Sequence, residues 1–228
     1  MSAQAADSST KPFSFDTIED FDKHIDLSIP DYSTLNETIL RLSSYFVKDG
    51  GRVYDLGCST GKLLANMASS NSAEGVKYVG IDRSENMING HSPKVGLELL
   101  LADLTSFDEY KPADLVLSVF TLQFLPIGER LPLLRRIYAA LRPGAALIVS
   151  EKLFIPDGYL QDVLSFVYYD HKRVSFTPEQ IFDKQRSLRK IMRPLTSEQN
   201  EAMLREAGFS SFYPFWQSLL FKAWVCIK

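Results

Sequence analysis

Seven consecutive residues hold the densest chemical information in this chain: Asp55-Leu56-Gly57-Cys58-Ser59-Thr60-Gly61. They follow a short apolar run at 52–56 and precede a helical pattern at 62–68. Gly57 and Gly61 let the backbone turn sharply and approach a ligand closely. A helix starting behind such a loop offers free N–H groups and positive potential to whatever binds there. Two later apolar runs each lead into an acidic residue. Residues 76–81 are followed by Asp82 and Arg83, and 97–101 lead to Asp103 and Leu104.

Three nucleotide-type readings compete for this loop. A phosphate-binding P-loop needs G-x-x-x-x-G-K-[ST]. Here the glycines stand one residue too close, and Leu63 follows Lys62. A dinucleotide fingerprint needs G-x-G-x-x-G, but Ser59 and Lys62 occupy its second and third glycine positions. The remaining pattern, D-x-G-x-x-x-G after a strand with an acidic residue closing the next strand, is that of S-adenosylmethionine sites. Asp82, about 25 residues beyond Gly57, can accept both ribose hydroxyls, by the logic that serves dinucleotides. Asp103 is placed to pair with the adenine amino group, with Leu104 offering its backbone N–H. Asp55 would orient the loop or the ligand ammonium. Each aspartate alone could be a strand-end cap; three in register with one glycine loop point to a ligand.

The elements that must position these residues alternate. Strands are expected at 52–56, 76–81, 97–101, 115–119 and 146–150, with helices at 62–68, after Ser84, and at 129–141, the last stopped by Pro143-Gly144. Leu35, Ile39, Leu42 and Phe46 recur at helical spacing in an earlier helix that Gly50-Gly51 closes. Strands alternating with helices imply a parallel sheet covered on both faces. Helices at 160–174 and 178–192 form an insertion of about 154–195, and a helix at 197–207 ends at Gly208. Strands at 212–216 and 219–227 pair antiparallel. The expected fold is therefore α/β and Rossmann-like: a mostly parallel seven-stranded sheet, a C-terminal antiparallel hairpin and a helical insertion after the fifth strand. Residues 13–29 are mixed apolar and acidic and suit a short cap helix.

Of 228 residues, 45% are apolar and 23% charged, with a formal net charge of −3. That fits one ordinary domain over 13–228 behind a tail at 1–12 expected to be disordered. It argues against a surface built for nucleic acid. The first eleven residues have neither the apolar run nor the basic start of a signal peptide, and no apolar run is long enough to span a membrane. Cys58 and Cys226 read as reduced thiols of a cytoplasmic protein. His24, His91 and His171 lack metal-ligand spacing and read as structural or surface residues, and no metal is expected.

The runs VYDLGCSTG at 53–61, FTLQFLP at 120–126 with GER close behind, and IYAALRPGAALIVSEK at 137–152 resemble the class I S-adenosylmethionine-dependent methyltransferase superfamily. Within it the chain is most similar to the carboxy-S-adenosyl-L-methionine synthases. SIPDYS at 28–33, YYDHKR at 168–173 and QRS at 185–187 carry that finer likeness. The resemblance implies synthesis of carboxy-S-adenosylmethionine from S-adenosylmethionine and prephenate, for wobble-uridine modification of transfer RNA. It implies that Tyr32 meets the carboxylated sulfonium arm, and that Gly57, Cys58 and Ser59 line the methionine portion. Asp82 and Arg83 would meet the ribose, and Asp103 and Leu104 the adenine. Arg186 would bind the extra carboxylate from a neighbouring subunit of a homodimer, as a guanidinium does in bidentate fashion. Tyr32 and Arg186 are thus the expected catalytic residues. Leu160, Val163, Leu164, Phe166 and Val167 of the insertion supply apolar surface for that dimer. The sequence departs from the family at Val119, where the family has Asn, and in a shorter linker between Asn89 and Leu97. Two other readings stay open: an ordinary methyltransferase acting on a small molecule or RNA base, and a catalytically silent S-adenosylmethionine-binding subunit. Lys172, Arg173 and Arg186 as an RNA-facing patch is the lesser reading.

Overall fold

The computed structural model describes residues 21–89 and 96–228. The tail at 1–12, His91 and most of the linker between Asn89 and Leu97 lie outside them. Seven strands form one sheet: β1 (Arg52–Leu56), β2 (Lys77–Asp82), β3 (Leu97–Leu101), β4 (Ala113–Val119), β5 (Leu141–Lys152), β6 (Ser211–Ser218) and β7 (Phe221–Ile227). Their order is β3-β2-β1-β4-β5-β7-β6. β1 to β5 run parallel, and β7 pairs antiparallel with both β5 and β6. Strand order reverses between β1 and β4, the place where open α/β sheets bind ligands beyond the strands' carboxyl ends.

The period-two alternation of strand side chains divides the core between the two faces. Leu115, Leu117, Ala146 and Ile148 join one apolar cluster, with Leu35 and Ile39 of α2 (Tyr32–Phe46) and Leu64 and Met67 of α3 (Lys62–Ser70). Val116, Leu147 and Val149 join the other, with Leu133, Leu134 and Ile137 of α5 (Ile127–Ala140) and Leu204 of α8 (Ser197–Ala207). The central strands are apolar on both faces because both are covered.

α1 (Phe21–Ser28) precedes this body, α4 (Glu85–Asn89) follows β2, and the insertion after β5 comprises α6 (Gly158–Arg173) and α7 (Pro178–Ile191). Ser84 Oγ accepts from the Met87 N–H at 3.3 Å, acting as the expected cap of α4. A capping box between Thr177 and Gln180 starts α7, with Pro178 at its first position.

Several bounds lie a few residues from expectation, and two of these shifts concern the residues expected to stop a helix. α2 ends at Phe46, because Val47 turns extended (φ −78°, ψ 126°) and the Gly50-Gly51 turn lies beyond it. α5 ends at Ala140 and β5 begins at Leu141, so Pro143-Gly144 does not stop the helix; it sits in a bulge opposite Asp114. Asp114 fixes that bulge, accepting from Arg142 Nη1 at 2.7 Å and from the Arg52 N–H at 2.8 Å. Among the described residues no helix is long and apolar enough to cross a membrane.

Candidate active site

A cavity of about 470 Å³ opens at the carboxyl ends of β1 to β5, a volume in the range of small-molecule sites. The β1–α3 loop forms its floor. Gly57 has φ +72°, and a Cβ there would lie 2.6 Å from the Thr121 side chain, so both conformation and space demand glycine. The Gly57 and Cys58 N–H groups both donate to the Ile81 carbonyl, at 2.7 and 3.1 Å, which ties the loop to β2. Ser59 is held at φ 51° while its N–H donates to Asp82 Oδ2 at 2.8 Å. Asp82 Oδ1 accepts from the Ser84 N–H at 2.9 Å. Each carboxylate oxygen spends one acceptor position on the backbone and keeps another for a ligand hydroxyl.

Asp55, at the end of β1, is buried beside Asp82. Burial first, and the Asp82 charge second, push its carboxyl up to about 8, so it is mostly protonated in the free protein at neutral pH. Asp103 is held below the usual carboxylate range by the Thr105 N–H and hydroxyl, both 2.8 Å from its Oδ1. Its second oxygen makes no protein hydrogen bond among the described residues. Arg136 fixes the adjacent Leu104 by donating to its carbonyl at 2.8 Å.

The wall opposite comes from β4 and α2. Val119 ends β4, and Phe120 follows at φ 56°, a left-handed conformation that costs an aromatic residue about 1–3 kcal/mol. Two bonds hold it: the Phe120 N–H donates to Ser150 O at 2.8 Å, and Thr121 Oγ1 donates to Leu56 O at 2.7 Å. The Tyr32 ring lies 6.2 Å from that of Phe120, and burial pushes its hydroxyl well above the usual tyrosine range. Asp31, which precedes Tyr32, accepts from Ser218 Oγ at 2.7 Å and so anchors the start of α2 to the end of β6. α1 lies over the loop: Thr60 Oγ1 donates to Asp22 at 3.0 Å, and Lys62 stands 4.0 Å from Asp26. No group of three or more His, Cys, Asp or Glu among the described residues could hold a metal.

Residues 53–144 match a family model described as a methyltransferase domain. The chain is 33% identical over 95% of its length, and 92% of the relative's, to the carboxy-S-adenosyl-L-methionine synthase of Vibrio vulnificus (strain YJ016). It is 32% identical to the synthase of Actinobacillus pleuropneumoniae serotype 5b (strain L20), covering 95% of this chain and 93% of that one. The chain belongs to the carboxy-S-adenosyl-L-methionine synthase family. Solved structures show the same fold: human N-acetylserotonin methyltransferase in complex with SAM (TM-score 0.56, 20% identity, 86% of this chain and 54% of that one) and a SAM-dependent methyltransferase from Archaeoglobus fulgidus (TM-score 0.60, 15% identity, 86% and 94%).

Against that family membership, the placement of each expected site residue is informative. Tyr32, Asp55, Gly57, Cys58, Ser59, Asp82, Arg83, Asp103, Leu104 and Val119 all border the cavity. Gly61 does not; at φ 72° it turns the chain into α3, and its carbonyl accepts from Ala65. Arg186 does not either. On α7 the residues reaching the cavity are Lys184, Leu188 and Ile191, which share one helical face. Arg186 is two positions from Lys184, about 200° round the helix, and is exposed with its guanidinium 4.9 Å from the Phe182 ring centre.

Sequence reasoning missed Lys152, Lys172, Lys184 and His24, all of which line the cavity. Lys172 is only 2% exposed, so it cannot belong to an outward RNA-facing patch. His24, read as structural or surface, faces the cavity; burial, then Lys184 and Lys172, lower its imidazole to about 4. The signal available for Lys172 and Lys184 was helical phase within the insertion, which short polar runs leave ambiguous.

Proposed function

We propose that this chain binds S-adenosylmethionine in the described cavity and converts it, with prephenate, to carboxy-S-adenosylmethionine for transfer-RNA wobble-uridine modification. We also propose that it works in the cytoplasm as a homodimer. The observation that carries this reading is the convergence on one cavity of the residues the family likeness assigns to the ligand, Arg186 excepted. When bound, S-adenosylmethionine supplies a methyl group activated by a sulfonium. The chain's own residues do the rest. Asp82 takes the ribose hydroxyls, and Asp103 with Leu104 takes the adenine. Gly57 to Ser59 bring the backbone against the methionine portion. Tyr32, Val119 and Phe120 wall the reacting end, and α1 covers it, so water is kept out and positioning does the catalytic work.

Arg186 points away from its own chain's cavity, which supports its acting from a second copy. The neighbouring exposed apolar residues Tyr159, Leu160, Val163, Phe166 and Val167 of α6 and Phe182 of α7 suit such a contact. A second reading, an ordinary methyltransferase, draws on one observation: Val119 puts an apolar side chain where the family has Asn. Mass spectrometry of the purified protein incubated with S-adenosylmethionine and prephenate decides between them. A carboxylated nucleoside is expected. Unmodified S-adenosylmethionine, with no prephenate consumed, would sink the proposed activity.

A further inference from the structure

Three lysines from three different elements line the same cavity as the strand-end aspartates. Lys152 ends β5, Lys172 lies in the last turn of α6, and Lys184 lies in α7. Lys152 and Lys172 share one aromatic ring: their Nζ atoms lie 4.7 and 5.6 Å from the centre of Tyr168. Lys152 also stands 5.6 Å from the ring of Phe221, and Lys172 stands 5.5 Å from that of Phe176. Neither forms an ion pair among the described residues. The aspartates of the cavity, Asp22, Asp26, Asp55, Asp82 and Asp103, sit on α1 and at the ends of β1, β2 and β3. Lys62 and Arg83 stand among these aspartates, at 4.0 Å from Asp26 and next to Asp82, whereas Lys152, Lys172 and Lys184 form a separate cationic group on β5, α6 and α7.

Ring faces offset only part of the cost of burying an ammonium. A cation without a counter-charge is retained where a ligand brings one. The cofactor adds a further positive sulfonium, so an anion that carries more than one negative charge matches this end of the site. We propose that Lys152, Lys172 and Lys184 form the seat of the anionic co-substrate, a small dicarboxylate bound within a single chain and held by a set of cations separate from Arg186. The inference rests on the proposed function for the identity of the dicarboxylate, prephenate. Burial lowers Lys172 to about 8; burial first, then the Lys172 and Arg189 charges, lower Lys152 to about 8; and burial, then Lys172, lower Lys184 to about 7, so a nearby anion favours the charged form of each.

The test compares Lys152→Met and Lys172→Met with Lys172→Arg in the full chain. A lost charge-assisted hydrogen bond raises the KM for prephenate about tenfold or more in the Met variants. Affinity for S-adenosylmethionine stays near that of the parent, and Lys172→Arg recovers most of the loss. A thermal-shift readout guards against misfolding. The Met variants hold or gain stability without ligand, because an apolar side chain replaces an uncompensated charge, yet they lose the shift that prephenate induces with S-adenosylhomocysteine bound. An unchanged KM together with a retained shift overturns the inference, as does a parent protein that shows no prephenate-induced shift. A parent that shows the shift, loses it in the Met variants and makes no carboxylated product supports the anion seat while defeating the proposed activity.

Discussion

Asp55 and Asp82 stand side by side at the ends of adjacent strands yet play different parts. Asp82 is tied down by two backbone N–H groups, whereas Asp55 is buried and mostly neutral in the free protein. Its raised pKa has a linked consequence. Between the unfolded value of 3.8 and about 8 the folded state holds a proton that the unfolded state has released, so this group's contribution to stability falls as pH rises through that window. A cationic ligand favours the carboxylate, so its binding expels the proton. Affinity for S-adenosylmethionine should therefore strengthen as pH rises toward 8. Calorimetry in buffers of different ionisation enthalpy should show more proton release in the parent than in Asp55→Asn. Equal release in the two would place the titration elsewhere.

At the scale of elements, α7 decides which basic residue does what. One face turns Lys184 into the cavity and the other shows Arg186 to the outside. The helix starts at the Thr177–Gln180 capping box, where the Thr177 hydroxyl accepts from the Gln180 N–H at 3.3 Å and the Gln180 side chain accepts from the Thr177 N–H at 2.9 Å. Thr177→Ala should cost about 1 kcal/mol, seen as a fall of about 2–4 °C in Tm. Because α7 carries Lys184, the KM for prephenate should rise while the affinity for S-adenosylmethionine holds. The insertion is also fastened from below. Arg130 is fully buried in α5, and its Nη2 donates to the Arg193 carbonyl at 2.7 Å, just past the end of α7. The GER run is thus a structural anchor for the cavity's cationic wall.

For the molecule as a whole, the exposed apolar strip on α6 and Arg186 on α7 belong to one argument about assembly. Phe166 is 67% exposed, Tyr159 78% and Phe182 61%, a cluster that a lone chain would leave to water. If the proposed dimer forms through this face, Phe166→Glu is expected to run as a monomer in sedimentation velocity where the parent runs as a dimer, and to abolish carboxylated product. S-adenosylmethionine binding should persist, because its residues come from one chain. A variant that stays dimeric, or a monomeric variant that remains active, would show that Arg186 is not supplied by a second copy through this face.

The strand-end residues that line one end of the cavity were legible in the sequence as a group. Their signals are local: a glycine loop after an apolar run, then an acidic residue after each of the next two. In a parallel sheet, a strand end read from sequence is also a position at the ligand-binding edge. The same locality made the strand–helix order, the capped α4 and the antiparallel hairpin readable. Bounds drifted where pairing outside the local pattern prevailed, as at Leu141, which joins Ala113 across a bulge. The cationic end was decided by tertiary structure. Lys152, Lys172 and Lys184 lie apart along the chain, neither the runs at 137–152 and 168–173 nor the basic stretch at 184–190 says that these side chains meet, and only the packing of α6 and α7 beside the end of β5 directs them into one cavity. Arg186, two residues from Lys184, shows the limit most plainly: nothing in the basic run 184–190 says which side chain faces inward, and helical phase, set by what the helix packs against, settles it.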